Sequence, residues 1–197
     1  AIEVSGGANY EEPWDIIPCH GCPAGINVPE AAAIKKVVDI PVMVVGKIND
    51  IRLGADLVDR DVVDAIVMGR PFFAEPELVN KAMAGAFEDI APCASCGGCV
   101  SYDPAEGFSG PKCHINPRLF HELEYPMVPT DGPKKKVLII GGGIGGMEAA
   151  YTAAVRGHSV TLWERSRTLG GHLQLASVPP GKQDLAKWLV YLNTQMQ

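Results

Sequence analysis

The sequence predicts an α/β protein with parallel strands, and three patterns support this prediction. Apolar runs alternate with amphipathic segments through residues 1–85. The runs are continuous rather than alternating, which suits strands buried on both faces of a parallel sheet. A further strand, glycine loop, helix and strand begin near Lys134. The expected strands are 1–4, 41–45, 64–68, 137–140 and 159–163, and the expected helices are 28–38, 51–60, 75–85, 147–156 and 185–196.

Charge is unevenly distributed along the 197 residues, of which 17 are Lys or Arg and 23 are Asp or Glu. The net charge of −6 disfavours binding to nucleic acid or to an anionic membrane. Residues 1–133 carry −11 and residues 134–197 carry +5, which predicts a domain boundary near Lys134. We find no membrane-spanning run and no secretion signal, so we expect a cytoplasmic protein.

Both ends of the sequence have the character of interior positions. The sequence opens inside the apolar run Ala1–Val4 without a starting Met, and it closes inside a helical pattern. We therefore expect a segment of a longer polypeptide, and the alternative is a short natural chain with frayed ends. The closing pattern consists of Leu185, Trp188, Leu189 and Leu192.

Two successive predicted strands end in a glycine followed by a cation. Gly46 and Lys47 follow the strand at 41–45, and Gly69 and Arg70 follow the next. Backbone N–H groups and a cation at these places could face one phosphate. In a TIM barrel, the loops after strands 7 and 8 form a frequent phosphate site. Ordinary turns with solvated cations are the alternative, but the repetition on successive strands favours a phosphate site.

Four of the six cysteines lie in a segment rich in turn residues, at 91–133. Their spacing is C-x2-C-x2-C-x13-C, in which three close thiolates and one distant thiolate suit a [4Fe–4S] cluster. Zinc is the first alternative, although structural zinc sites usually present two separated pairs. Disulfides are the second, disfavoured because nothing indicates an oxidising compartment. The predicted cluster ligands are Cys93, Cys96, Cys99 and Cys113.

The remaining cysteines form the motif Cys19-His20-Gly21-Cys22, between the first strand and the first helix. Such a pair can be a redox couple or half of a metal site. The plainer interpretation is two loop thiols. We favour this interpretation and assign the pair no ligand role.

The glycine loop at 141–146 follows a predicted strand and opens a predicted helix. Gly141, Gly143 and Gly146 satisfy G-x-G-x-x-G, which lets a pyrophosphate approach the helix N-terminus. Glu164 follows at the distance expected of a ribose-binding acid. The context indicates a dinucleotide site rather than a plain turn. The pair Gly170-Gly171 could let another loop approach the same dinucleotide.

Taken in order, these motifs resemble the iron–sulfur flavoenzymes related to old yellow enzyme, the group of 2,4-dienoyl-CoA reductase and trimethylamine dehydrogenase. The resemblance covers the sequence from about residue 40 onward and has two branches. The cysteine spacing and Gly171-His172-Leu173 are closer to the amine dehydrogenases, whereas Ile48-Asn49-Asp50 and His121-Glu122 are closer to the reductases. The other matching stretches are 45–47, 68–72, 116–118 and 141–146.

The resemblance implies three parts. Residues 1–90 would be strands 6–8 of an FMN-binding TIM barrel, residues 91–133 the [4Fe–4S] segment and linker, and residues 134–197 the start of a Rossmann-like domain for FAD or ADP. Lys47 stands where many members have Arg, which keeps the charge but loses the forked geometry. The implied cofactor-binding residues are Gly46, Lys47, Gly69, Arg70, Gly141, Gly143, Gly146, Glu164, Arg165, Gly171, His172 and Leu173.

The function that the resemblance implies is NAD(P)H-dependent reduction of an activated C=C bond, in an enoyl thioester or an enone. Electrons would pass from FAD through the cluster to FMN. An amine dehydrogenase that passes electrons from FMN through the cluster to an external acceptor is the alternative within enzymes. Outside enzymes, a non-catalytic electron-transfer subunit and a zinc-stabilised structural fragment are the alternatives. Family members place their catalytic residues mainly upstream of Ala1. The expected partners are a small-molecule substrate, the rest of the polypeptide, and either a second copy or an electron-transfer protein.

Overall fold

A computed structural model describes residues 1–7, 16–100 and 111–197. The strands in this part of the chain form two parallel sheets, one with the order β1-β2-β3 and one that pairs β4 with β5. This arrangement confirms the predicted α/β class with parallel strands. The strands are β1 (Ile2–Val4), β2 (Val42–Val44), β3 (Ala65–Ile66), β4 (Lys136–Ile140) and β5 (Ser159–Trp163).

Helices connect the strands of each sheet and follow its last strand. Asp50 caps the helix after β2, because its carboxylate accepts the Arg52 backbone N–H at 2.9 Å. No described helix is both long enough and apolar enough to cross a bilayer. The helices are α1 (Val28–Lys35), α2 (Ile51–Asp59), α3 (Arg70–Ala74), α4 (Leu78–Met83), α5 (Ile144–Val155), α6 (His172–Ala176) and α7 (Gln183–Thr194).

Several predicted boundaries are wrong. The helix expected at 75–85 spans only Leu78–Met83, because Glu75 precedes Pro76 and takes the extended conformation that a following proline favours. The helix expected at 147–156 begins earlier, at Ile144, because the Met147 N–H already bonds the Gly143 carbonyl. The first helix ends at residue 35 rather than 38, the strand expected at 64–68 spans 65–66, and the short helices α3 and α6 were not predicted.

Two clusters of buried apolar side chains form the core. The first lies between the three-stranded sheet and the helices α1 and α2. The second joins α3, the cysteine segment and the helices α5, α6 and α7. The cysteine segment is therefore packed against the C-terminal part of the chain rather than extended away from it. The buried members of the second cluster are Ala74, Ala91, Ala94, Ile115, Met147, Leu173, Trp188 and Leu192.

Substitution of Leu192 by Ala should destabilise the protein by about 2 to 5 kcal/mol, because a fully buried leucine leaves a cavity. Leu192 is only 2% exposed and belongs to the second cluster. Val190 lies on the same helix but is 61% exposed, so Val190→Ala is the matched control, with an expected effect within about 0.5 kcal/mol. Urea unfolding of the three proteins measures the difference. Equal effects of the two substitutions would contradict the packing of α7.

Candidate functional site

The two predicted phosphate loops lie side by side. Strand β2 pairs in parallel with β3, and Val44 is opposite Ile66. The Val67 N–H donates to the Val44 carbonyl at 2.9 Å, so this pairing extends to the end of both strands. Gly46 and Gly69 consequently follow neighbouring strands at one edge of the sheet.

Lys47 is buried beside Gly46, and its ammonium group contacts three groups of this protein. Its Nζ atom donates to the carbonyl oxygens of Cys19 at 3.0 Å and Cys22 at 2.7 Å, and it lies 3.1 Å from Oδ2 of Asp184. An ammonium group has three donors, so these contacts account for all of them. The predicted phosphate contact of Lys47 stays a prediction, and it requires one of these partners to be released.

The Lys47–Asp184 ion pair is largely shielded from water, with side-chain exposures of 7% and 11%. Burial by itself would raise the pKa of Asp184. The hydrogen bond and charge of Lys47, and a hydrogen bond from Ser95, outweigh burial and hold that pKa below its ordinary value. Asp184 is therefore a carboxylate when paired with Lys47, and the pair fastens the start of α7 to the first sheet.

Arg70 has a different environment from Lys47. In the part of the chain that the structure describes, its buried Nη1 atom has no hydrogen-bond partner. Its charge acts on the thiols of Cys93 and Cys99, where it favours the thiolate form. A buried guanidinium donor without a partner is costly, so the site fits an anionic group placed beside Arg70. Gly69 provides room there, since a Cβ atom at that position would meet no atom within 4 Å.

The structure brings the four predicted cluster cysteines into one electrostatically connected group. Cys93 interacts with Cys99 and Cys113, and Cys99 interacts with Cys96 and Cys113. Burial raises the pKa of the Cys93 thiol to about 11, against the opposing effects of the Ser95 N–H and of Arg70. Burial therefore disfavours the thiolate of Cys93, and a metal bound there would have to displace the thiol proton.

The four cysteine thiols are the kind of ligand that holds an iron–sulfur cluster. The Asn116 backbone N–H donates to Cys113 Sγ at 3.4 Å, as N–H groups do around cluster sulfurs. Cys96 Sγ lies 3.3 Å from His114 Nδ1. Among the described residues, no three Cys, His, Asp or Glu side chains converge around the position of a single ion. In a four-iron cluster each thiolate binds a separate iron, so the sulfurs lie farther apart than around one ion.

The second cysteine pair lies next to this group. The Cys22 N–H donates to the Cys19 carbonyl at 3.3 Å, which closes a turn. Cys19 Sγ faces the cluster segment, because a Cβ atom on Gly97 would lie 3.3 Å from it. Both cysteines are free thiols, and the prediction that they have no ligand role stays a prediction.

The glycine loop has the backbone geometry that its motif requires. Gly141 has a φ of +106°, and a Cβ atom on Gly146 would overlap the Gly141 carbonyl oxygen. The loop then enters α5, whose first N–H groups point away from the helix and can bind an anion. The second glycine pair approaches this loop, since Gly170 N–H donates to the Gly142 carbonyl at 2.7 Å and a Cβ on Gly171 would lie 3.1 Å from Gly143 Cα.

Glu164 lies at the glycine loop, as its spacing predicts. Its carboxylate accepts the Gly142 N–H at 2.6 Å and the Ser166 N–H at 2.7 Å. Hydrogen bonds from the Ser166 and Gly142 backbone hold the pKa of Glu164 below its ordinary value. A carboxylate accepts up to about four hydrogen bonds, so acceptor positions are left for a ribose hydroxyl.

The remaining predicted residues of the nucleotide site differ in exposure. Arg165 and His172 are exposed on either side of the glycine pair. Leu173 is buried in the second core cluster, so its side chain supports the loop by packing. Their contacts with a cofactor stay predictions.

Sequence reasoning missed a buried polar network beside the cysteines. Asn49 Nδ2 donates to Ser95 Oγ at 2.7 Å, and the Ser95 hydroxyl lies near enough to Asp184 to help lower the pKa of that carboxyl group. Asn49 lies within a stretch that matches the resemblance, but Ser95 and Asp184 carry no local signal. Only the packing of α7 against the cysteine segment brings them together.

Comparison with known proteins shows that this chain is similar to flavin-dependent oxidoreductases. Residues 136–191 match the FAD-dependent oxidoreductase family, and they contain the glycine loop and Glu164. Cinnamate reductase of Clostridium sporogenes is 39% identical over 168 residues, which are 83% of this chain and 25% of the relative. The structure of a 2-naphthoyl-CoA reductase complex matches with a TM-score of 0.81 at 32% identity, covering 89% of this chain and 27% of that one. Histamine dehydrogenase from Rhizobium sp. 4-9 matches with a TM-score of 0.79 at 28% identity, covering 88% and 25%.

The chain is a segment homologous to the iron–sulfur flavoenzymes related to old yellow enzyme. It spans about a quarter of the length of these relatives. The resemblance inferred from the motifs is thereby confirmed.

Proposed function

We propose that this chain is the central part of an oxidoreductase that reduces an activated C=C bond with electrons from NAD(P)H. Residues 1–90 correspond in this proposal to strands 6–8 of an FMN-binding TIM barrel. Residues 91–133 are the [4Fe–4S] segment, and residues 134–197 begin a Rossmann-like domain for FAD or ADP. One face of the sheet formed by β4 and β5 is apolar but exposed. In a Rossmann fold helices cover both faces of the sheet, so an apolar face of this kind supports the last assignment. That face presents Leu138, Ile140 and Trp163.

The observation that carries the proposal is the position of two of the predicted cluster thiols, those of Cys93 and Cys99, near Arg70. Arg70 lies in the predicted phosphate loop that follows β3. Its positive charge interacts with the thiols of Cys93 and Cys99. The phosphate of FMN would lie against Gly46, Gly69 and Arg70. The cysteine segment shares one buried core with α5, which follows the glycine loop. This shared core, which also includes Ala74 of α3, supports the proposal that the three cofactors bind to one packed unit.

When bound, the cofactors supply the electron chemistry: FAD accepts electrons from NAD(P)H, the cluster passes single electrons, and FMN delivers hydride to the substrate. The residues of this chain bind and orient these groups. Glu164 would accept a ribose hydroxyl, and the N-terminus of α5 would face the pyrophosphate. Asn116 would direct its backbone N–H at a cluster sulfur, that of Cys113.

The test is anaerobic reduction of the full-length holoenzyme by NADH and by NADPH, followed by addition of acceptors. We expect the flavin absorbance to bleach with one nicotinamide cofactor and to return on addition of an enone, an enoyl thioester or cinnamate. Cinnamate is included because a relative is named for its reduction. Absence of both bleaching and reoxidation in enzyme that carries all its cofactors would contradict the proposal.

An amine dehydrogenase is the second candidate, supported by the match to histamine dehydrogenase and by the Gly171-His172-Leu173 stretch. It predicts bleaching by a small amine and no response to NAD(P)H. A non-catalytic electron-transfer subunit would carry the cluster but show no turnover with either substrate class. Addition of a small amine to a parallel sample of the same anaerobic holoenzyme separates the three outcomes.

A further inference from the structure

We propose that Cys19 and Cys22 form a redox-active thiol pair, which closes to an intramolecular disulfide by exchange with a low-molecular-weight disulfide. The cofactor motifs do not include these two residues. The inference goes beyond the proposed function, because it requires neither a flavin nor a cluster. It gives the protein a two-electron redox centre made of its own side chains.

The two cysteines are the first and last residues of a closed turn. The Cys22 N–H donates to the Cys19 carbonyl oxygen at 3.3 Å, and Gly21 has a φ of +84°. A positive φ of this size suits the third position of a type II turn, whose end residues have Cα atoms within about 7 Å of each other. A disulfide bridges Cα atoms that are about 4.4 to 6.8 Å apart. The backbone therefore places the two cysteines at a separation that a disulfide can bridge.

Contacts from outside the turn hold it in this conformation. Lys47 Nζ donates to the carbonyl oxygens of both end residues, at 3.0 Å for Cys19 and 2.7 Å for Cys22. The Gly21 N–H donates to the Gly181 carbonyl oxygen at 3.2 Å. The side chain of Lys47 is only 7% exposed, so water competes weakly for its bonds. A turn fixed in this way loses little conformational freedom when the disulfide closes, which favours the intramolecular disulfide over mixed disulfides.

The two thiols differ in their surroundings. The Sγ atom of Cys19 already donates to the Ile17 carbonyl oxygen, at 3.2 Å. Cys22 is partly exposed and lies between two exposed residues, Gly21 and Pro23. We therefore assign the first attack on an external disulfide to Cys22 and the second step to Cys19.

The exchange takes place in two steps. The Cys22 sulfur attacks one sulfur of the external disulfide, forms a mixed disulfide and releases one small thiol. The Cys19 sulfur then attacks the Cys22 sulfur of this mixed disulfide and releases the second small thiol. The two cysteines lose two electrons and two protons in total, and the external disulfide gains both to become two thiols. Excess small thiol drives the same steps in reverse.

The test is thiol mapping of the full-length holoenzyme after anaerobic equilibration with mixtures of oxidised and reduced glutathione. Residues 1–34 contain no Lys or Arg, so both cysteines are in one tryptic peptide that ends at Lys35. Alkylation with different reagents before and after reduction, followed by mass spectrometry of this peptide, measures the ratio of disulfide to dithiol. We expect an intramolecular disulfide that excess reduced glutathione removes. Persistent free thiols, or mixed disulfides with glutathione alone, would overturn the inference.

Substitutions test whether the turn is responsible. We expect Gly21→Ala to lower the equilibrium constant for disulfide formation about fivefold or more, because a residue with a Cβ atom is disfavoured at positive φ. A Cβ atom there would meet no atom within 4 Å, so the effect comes from the backbone rather than from a clash. Ala24→Ser, on an exposed residue outside the turn, should leave the constant unchanged. In Cys19→Ser the mixed disulfide at Cys22 should accumulate, because the second step is lost.

Each variant has an outcome that contradicts the inference. An unchanged constant in Gly21→Ala, or an equal decrease in Ala24→Ser, would overturn the role of the turn, and Cys19→Ser without a mixed disulfide would overturn the role of Cys22. If Gly21→Ala does not fold, wild-type protein unfolded in guanidinium decides. Its constant should be at least about tenfold lower than that of the native protein, because the turn is no longer held, and equal constants would overturn the inference. Flavin and iron contents of the same wild-type samples test the proposed function separately.

Discussion

Substitution of Gly146 by Ala should lower the affinity for the FAD-type dinucleotide by at least about tenfold, which corresponds to roughly 1.4 kcal/mol. A Cβ atom at this position would overlap the carbonyl oxygen of Gly141, so the loop must move to accommodate it. The movement displaces the backbone that a pyrophosphate would contact at the start of α5. Nucleotide released from the denatured full-length protein, counted per polypeptide, measures the effect.

The neighbouring residue gives a matched control. A Cβ atom on Gly145 would meet no atom within 4 Å, and Gly145 lies within α5, where alanine is favourable. Gly145→Ala should therefore keep its nucleotide and its folded circular dichroism spectrum. Full nucleotide content in Gly146→Ala, or equal loss in both variants, would contradict the assignment of the loop.

Substitution of Cys93 by Ser should remove the cluster, because a hydroxyl group is a poor replacement for one of its thiolate ligands. Cys93 is a predicted ligand that interacts with two of the others, Cys99 and Cys113. We expect iron to fall from about four atoms per polypeptide to less than about one, with loss of the visible cluster absorbance. Metal analysis and absorbance of anaerobically purified full-length protein measure both quantities.

Cys19→Ser and Cys22→Ser are the controls for this substitution. Cys19 Sγ lies against Gly97 of the cluster segment, yet neither thiol belongs to the connected group of four. Both variants should keep the wild-type iron content. Loss of iron in Cys22→Ser would place that residue among the ligands, and zinc without iron in the wild type would contradict the cluster.

Much of the architecture could be predicted from local patterns. Strand β5 has the bounds expected from its apolar run, and β4 begins one residue early. Residue choice is decisive there because β-branched and aromatic side chains favour the extended backbone of a strand. Boundaries near prolines and glycines were less predictable. The extended Glu75 ends α3, and the glycines at 145 and 146 join α5 against their low helix propensity.

The candidate site likewise has parts that local sequence patterns predict and parts that they do not predict. The glycine loop with Glu164 could be predicted because its function depends on closely spaced backbone geometry. Lys47 and Arg70 occupy equivalent places in the sequence, each after a glycine at a strand end, yet their surroundings differ. Lys47 is paired with Asp184, whereas Arg70 has a buried donor beside the cysteines. A local pattern places a cation in a loop but does not reveal its long-range partner.

The sequence by itself determined the parallel α/β class, the spacing of the four cysteines and the turn geometry of the glycine loop, because each depends on the identity and spacing of nearby residues. Only the tertiary structure decided which charges are paired and which polar groups surround the cysteines. The contact of Asp184 with Lys47 and Ser95 arises when α7 packs against two segments far from it in the chain. Such contacts depend on how separate elements bury their apolar faces together, and that information is distributed over the whole core.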